Sequence, residues 1–448
     1  MIHQHRLSAL MGVLLLSANA NAIEIAFERD DTLPIIHMNV AIKTGSVSDP
    51  EGQYGITNFV GEMLLRGTRS RNKEQIDLEL DQMGARIAIE TRAEALIVRG
   101  SVLSGEIGPF LKLLTDLITQ PSFPEQEVRK LKAEIVSQLL EERSSDASLS
   151  QKAFASFLFG SHPYGKPVDG NISDVEKITK ERALAHFDRL FRDKQMVVIG
   201  SGDVGEAQIR EWANALALAR PGDVIVPKVT PPQAPAKRRL LIVDKPDRTQ
   251  TQIDAGLVGV RMTDKNFFPL YLANHAYGGA SFSARLTVEI RVKRGWSYGA
   301  YSYFKHGRQP RFWQYHLYPA AKYTPEALGH SITMLEKLHQ EGISPDEFTF
   351  NQKSLVKSAG FMYNTPKKRI ENALLERTLD LPDGFIKSFG PNLTKVTLDE
   401  VNAAAREFFD PAKLSITVLG TAKDLRDALI KNAGINPEDV KVMPYDAN

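Results

Sequence analysis

The sequence predicts an α+β protein made of two homologous domains, each a largely antiparallel sheet covered by helices. Three observations carry this. Segments on either side of a proline-rich stretch resemble each other at an offset of about 216 to 220 residues. Within each copy, alternating strand patterns are interrupted by amphipathic helical runs in unequal number, the signature of helices packed on an antiparallel sheet. The 448 residues are 42% hydrophobic and 25% charged, enough apolar material for two full cores.

The first 22 residues, MIHQHRLSALMGVLLLSANANA, carry one arginine, an apolar stretch from Leu7 to Leu16 and small residues at Ala20 and Ala22. This is the layout of a secretory signal peptide cleaved after Ala22, and it predicts export to the periplasm. The apolar run is about half the length of a spanning helix, and no later segment is long and apolar enough to span. Residues 23–226 form the predicted N-terminal domain, 227–239 the linker PKVTPPQAPAKRR, and 240–448 the C-terminal domain.

The repeat is seen in three pairs. IEIAFERDDTLPIIHMNVAIKTG (23–45) and RLLIVDKPDRTQTQIDAGLVGVR (239–261) both read as strand, charged turn and longer strand. FPEQEVRKLKAEIVSQL (123–139) answers ISPDEFTFNQKSLVKSA (343–359), each a proline-initiated amphipathic helix. The runs at 175–204 and 393–422 are each a Thr-capped helix with paired aromatics, followed by a β-branched strand. An offset this long marks a duplicated domain rather than a solenoid.

Composition narrows the chemistry. There are 56 basic and 54 acidic residues, a net charge of +2, so no field draws nucleic acid or an anionic membrane. No cysteine is present, which removes thiolate nucleophiles, cysteine zinc sites and disulfides. Any metal would need ligands from carboxylates and only 10 histidines.

YGITNFVGEMLLRGTRSRNK (54–73) has an apolar stripe at Ile56, Phe59, Val60, Met63 and Leu64, one buried helix face. Asn58 and Glu62 sit four apart on another face, with Gly61 beside them. The run G-x-x-N-F-x-G-E-M-L-x-R-G-T resembles the zinc helix of the pitrilysin/insulinase metallopeptidases, G-x-x-H-F-x-E-H-M-x-x-x-G-T. In that family the H-x-x-E-H pattern supplies two zinc ligands and the base that activates the zinc water. Here Asn58, Gly61 and Glu62 stand at those positions, so both histidines and the base are missing. The resemblance extends to a distal glutamate ligand: Glu134 lies 76 residues after Asn58. It extends also to FGSHPYGKPVDG, which is similar to the family's F-G-x-H-P-Y-G segment.

The residues left at the motif are hard oxygen donors. Asn58, Glu62 and Glu134 suit Ca²⁺, Mg²⁺ or Mn²⁺ better than Zn²⁺, but three protein oxygens fall short of a Ca²⁺ shell. The alternative is an ordinary i,i+4 pair between Glu62 and Arg66 on the helix surface. His162 and His186 show no metal spacing and read as hydrogen-bonded structural residues. The expectation is that this chain binds no metal and no cofactor of its own.

In the second half, YGGASFSARLTVEIRVKRGWSYGAYSYF (277–304) reads as a Gly278-Gly279 turn, a helix and an aromatic-rich strand. It is similar to the family region holding an Arg and a Tyr seven residues apart, which bind the substrate backbone and stabilise the tetrahedral intermediate. Arg291 and Tyr298 have that spacing. The resemblance therefore implies a non-catalytic subunit of a heterodimeric zinc peptidase, lending Arg291 and Tyr298 in trans to a partner that carries the zinc, with a peptide or unfolded protein as substrate. It also implies that the edge hairpin MGARIAIETRAEALIVRGSV (83–102) receives peptide by strand addition. Two alternatives stand beside this: a structural or peptide-binding protein outside proteolysis, and a self-sufficient metallopeptidase with unconventional ligands.

Overall fold

The structure is a computed structural model that describes residues 23–223 and 227–447; the expected signal segment at 1–22 lies outside the described residues. The first half runs β1 (Glu24–Arg29), β2 (Ile35–Ile42), α1 (Ile56–Met63), α2 (Lys73–Gln82), β3 (Arg86–Thr91), β4 (Leu96–Leu103), α3 (Ile107–Thr119), α4 (Glu125–Glu142), α5 (Asp146–Phe159), α6 (Ile172–Val175), α7 (Lys180–Leu190), β5 (Met196–Gly202) and α8 (Glu206–Ala219). The second runs β6 (Arg239–Asp244), β7 (Gln252–Val258), α9 (Phe267–Asn274), β8 (Ser297–Lys305), β9 (Phe312–Pro319), α10 (Thr324–Glu341), α11 (Pro345–Ala359), α12 (Pro366–Thr378), α13 (Phe389–Lys395), α14 (Leu398–Phe408), β10 (Ser415–Gly420), α15 (Ala422–Ala433) and β11 (Val440–Pro444). Each half thus places five helices between its fourth and fifth strands.

The first sheet has the order β1-β5-β2-β4-β3 and the second β11-β6-β10-β7-β9-β8. Pairing is antiparallel except at one end of each, where β1 runs parallel to β5, and β6 parallel to both β10 and β11. The matching free edges are β3 and β8. Caps expected from the repeated segments are formed: Thr179 accepts from the Arg182 N–H at the start of α7, and Thr397 with Glu400 makes a capping box at α14. Ser344, Pro345 and Glu347 start α11 in the same way.

Alternation along the strands gives each sheet two apolar faces. In the first sheet, Ile36, Met38, Val40, Val98 and Val198 pack against the half's own helices. The opposite face, with Ala41, Ile97, Val197 and Ile199, is covered by Ile370 and Leu374 of α12, a helix from the second half. The exchange is reciprocal. α5 lies across the second sheet, where Phe154 is fully buried and its ring meets Phe312 at 5.5 Å. Gly256 on β7 leaves the room for this, since a Cβ there would approach the Phe154 ring at 2.8 Å. Polar contacts fix both helices: Ser150 donates to the buried Asp254 at 2.5 Å, and Arg99 donates to Glu371 at 2.6 Å. Burying a side chain such as Leu374 or Phe154 contributes about 1.5–3 kcal/mol, so the halves are tied together by each other's helices rather than by the linker.

Candidate functional site

Helix α1 begins at Gly55, whose φ of 92° is open to glycine. Its first turn is held by the buried Asp49, whose carboxylate accepts from the Gly55 N–H at 2.7 Å, the Thr57 N–H at 3.1 Å and the Thr57 hydroxyl at 2.5 Å. Thr57 in turn contacts His186 Nε2 at 2.8 Å, and Arg189 reaches His186 Nδ1 at 3.0 Å. Burial, with Arg189 alongside, holds the His186 imidazole down to about 3. His186 is thus a buried structural residue that locks α1 to α7. His162 has the same character: it accepts from the Tyr164 N–H at 3.1 Å and contacts the Thr230 carbonyl at 2.8 Å.

The zinc-motif positions do not form a metal site. Gly61 is buried where α1 crosses the edge strand, and a Cβ there would lie 2.8 Å from Ile89 Cγ2 and 3.2 Å from Leu96 Cδ1. The space of a catalytic base is therefore filled by the sheet. Glu62 is partly buried, and that burial raises its carboxyl above the usual range, with Arg66 opposing and Glu134 adding to the rise. Glu134, the distal ligand position, is taken by a cation of the chain itself: Arg66 forms an ion pair with it and donates to Glu127 at 3.2 Å. Among the described residues no group of three His, Asp or Glu could hold a metal ion. Zinc does not fit the residues present.

The expected i,i+4 pair of Glu62 with Arg66 is not formed. The α-helix stops at Met63 and residues Leu64–Arg66 form a tighter 3₁₀ turn, which carries the arginine to α4 instead.

Arg291 and Tyr298 are brought together. Both line a cavity of about 530 Å³ with Thr249, Gln250, Trp296 and Tyr318. Arg291 lies on a π-helical segment, Thr287–Lys293, and its guanidinium sits 5.1 Å from the Phe282 ring centre. No carboxylate pairs with it among the described residues, whereas its neighbours Lys293 and Arg294 both bind Glu289. Tyr298 is 79% exposed at the start of edge strand β8. An irregularity between Ser297 and Ala300 turns it outward, and Ser297 holds that irregularity by donating to the Gly299 carbonyl at 2.6 Å and accepting from the Tyr318 N–H at 2.9 Å.

The Gly278-Gly279 pair is not a turn between elements. It ends a π-helical extension of α9, His275–Gly279, where a Cβ on Gly278 would lie 2.8 Å from the Ser302 backbone nitrogen. Phe282, 65% exposed beneath Arg291, went unremarked in the sequence because a lone Phe in a Ser/Ala-rich stretch carries no periodicity. The edge hairpin is as expected, with β3 at the free edge and β4 inside it.

Two sheet-and-helix halves, a helix with Asn58, Gly61 and Glu62 at the motif positions and an Arg/Tyr pair over an open cavity define a metallopeptidase-like chain in which the described residues form no metal site. The chain belongs to peptidase family M16: residues 24–170 match the insulinase (peptidase family M16) profile, and residues 177–355 match the peptidase M16 inactive domain. It is 23% identical over 421 residues to an uncharacterized zinc protease of Streptomyces coelicolor, covering 90% of this chain and 89% of that one. To a non-peptidase homolog of Helicobacter pylori it is 19% identical, covering 90% and 93%. Its fold is similar to that of a peptidase M16 inactive domain from Pseudomonas fluorescens, with a TM-score of 0.83 at 21% identity, covering 90% of this chain and 96% of that one.

Proposed function

We propose that this chain is a zinc-less, peptide-binding subunit that presents Arg291 and Tyr298 to a peptide whose scissile bond lies at the zinc of a homologous partner. The single observation that carries the reading is the shared cavity of Arg291 and Tyr298, in which the arginine has no carboxylate to satisfy it. A guanidinium and a phenol hydroxyl facing open space are donors suited to a carbonyl oxygen that gains charge. The closed α1 region supports the other half of the reading, since Gly61 offers no side chain at the base position and no group of three His, Asp or Glu among the described residues could hold a metal ion. Export to the periplasm belongs to the same proposal, through residues 1–22.

Mixing the chain with a homologous chain that carries an intact H-x-x-E-H tests it. Cleavage of an unfolded peptide should need both chains, and Arg291→Ala should lower it by about 10²–10³-fold, the effect of losing one oxyanion donor. Full activity of the partner alone would refute the proposal. A second reading, peptide capture without a part in cleavage, is favoured by the name of the Helicobacter pylori relative, a non-peptidase homolog. It predicts that Arg291→Ala weakens peptide binding and leaves turnover by any partner unchanged.

A further inference from the structure

Where the two hairpin tips meet at the seam of the halves, a second cavity of about 580 Å³ opens between the ends of both edge strands, β3 and β8, and the last turn of α12. Its polar lining is unusual in what lacks a partner. Thr91, His306 and Arg311 all line it, and among the described residues each has a buried side-chain atom with no hydrogen-bond partner, the Thr91 hydroxyl turning toward Gly61 on α1. Buried donors left unpaired are rare in folded proteins, and the Arg311 guanidinium at this cavity points to a group that completes it.

The charges point the same way. Glu90 is occupied by Arg92 and by Arg99, the latter at 2.8 Å. Glu94 is occupied by the Tyr164 hydroxyl and by the Arg308 N–H at 2.8 Å. Among the described residues neither carboxylate forms an ion pair with Arg311, whose guanidinium lies over the Tyr164 ring at 5.0 Å, or with Lys305, although Glu94 and Glu90 attract them from further off. Two cations are left facing one enclosed space. Burial and their mutual repulsion press Lys305 below its ordinary range.

We propose that this cavity binds a carboxylate, the free C-terminal end of an extended peptide. A planar carboxylate matches the guanidinium fork of Arg311 and would take Lys305 as a second cation. Lys305 ends β8 and Tyr298 begins it, so the two cavities stand at opposite ends of one free edge. Seven residues of strand span about 23 Å at roughly 3.3 Å each. A peptide paired along β8 with its end at Arg311 would therefore lay roughly its seventh residue from the end beside Tyr298. The inference rests on the reading that the chain binds peptide, and it adds which end is held.

The test uses the purified chain and an eight-residue Ala/Thr peptide with an N-terminal fluorophore, as the free acid and as the C-terminal amide, with N-acetylglycine as a small-acid probe. Anisotropy should show the free acid binding about tenfold or more tighter than the amide. The difference should shrink to within about twofold in Arg311→Gln, and also in Lys305→Ala, whose urea midpoint should stay at that of the parent. Equal binding of acid and amide would overturn the pocket and leave peptide binding standing. Binding of N-acetylglycine, lost in Arg311→Gln, with no binding of either peptide, would overturn the peptide end in favour of a small organic acid. No binding of any probe would overturn both.

Discussion

Helix α1 with its surroundings and the Arg291/Tyr298 region occupy different halves of one duplicated chain, and they have gone opposite ways. Around α1 the base position, the distal ligand position and the helix start are closed: Gly61 against Ile89 and Leu96, Glu134 on Arg66, and Asp49 beneath the first helical turn. Around Arg291 the donors stay open, over an exposed Phe282 and into a cavity of about 530 Å³. A motif that has lost its ligands could still be an empty cradle. Here it is filled by the chain's own side chains, which separates a site given over to structure from one kept for a ligand.

The same substitution in the two regions gives the widest contrast. Phe59 on α1 is fully buried, and Phe59→Ala should cost about 3–5 kcal/mol in urea unfolding. Phe282→Ala, at a side chain 65% exposed, should stay within about 0.5 kcal/mol. Comparable losses at both positions would mean that the Arg291 region is as much a part of the core as α1, and the comparison would fail.

Rebuilding the motif gives a smaller effect. Gly61→Glu forces a side chain against Ile89 and Leu96 and should cost about 1–3 kcal/mol. Asn58→His, Gly61→Glu and Glu62→His together should still bind less than one zinc per chain by elemental analysis, because Arg66 holds Glu134. Adding Arg66→Ala should raise zinc uptake. A stable Gly61→Glu chain, or full zinc loading with Arg66 in place, would show that α1 is an open cradle after all.

Most of the fold was legible because duplication writes the same caps and strand patterns twice: Thr179 and Thr397 begin corresponding helices, and Pro124 and Pro345 stand at the starts of α4 and α11. The exchange of α5 and α12 was not legible. The apolar stripe of a helix says that it packs, and Phe154 or Leu374 would serve equally on either sheet. The alternative pairing of Glu62 with Arg66 fails because the i,i+4 rule holds only while the helix continues, and here it tightens after Met63. Gly278 was taken for a turn because a close approach to the Ser302 backbone leaves the same mark in a sequence as a bend. Arg291 and Tyr298 stand out only through the family resemblance, since an Arg and a Tyr seven residues apart are unremarkable alone, whereas the carboxylate pocket joins Thr91 to Arg311 and no local pattern links residues so far apart.

The finest difference between the regions lies in pH dependence. Burial pushes the Asp49 carboxyl up to about 7, against the pull of its donors Thr57 and Gly55, while burial and Arg189 hold His186 down to about 3. Between about pH 4 and 6.5 the folded chain keeps its one proton on Asp49, and the unfolded chain keeps one on the imidazole. The proton count is equal, so the pair gives the parent no slope over that range. Asp49→Asn removes the compensation. His186 alone has a folded value below its unfolded one, so stability is complete above about 6.5 and is lost as pH falls toward 3, by up to about 1.4 kcal/mol per pH unit. His186→Gln should tilt the other way, because a raised carboxyl stabilises at low pH and the gain disappears as pH rises from about 4 to 7. Beside Arg291, Glu289 is held down to about 2 by Lys293 and Arg294, so its contribution is lost only below about pH 4.5. His306, held down to about 4 by burial, adds the same slope to every variant, so urea midpoints at pH 5.0 and 6.5 taken relative to the parent isolate the α1 network. Slopes of the same sign in Asp49→Asn and His186→Gln would show that the two side chains do not share a proton and that α1 is held by something other than this pair.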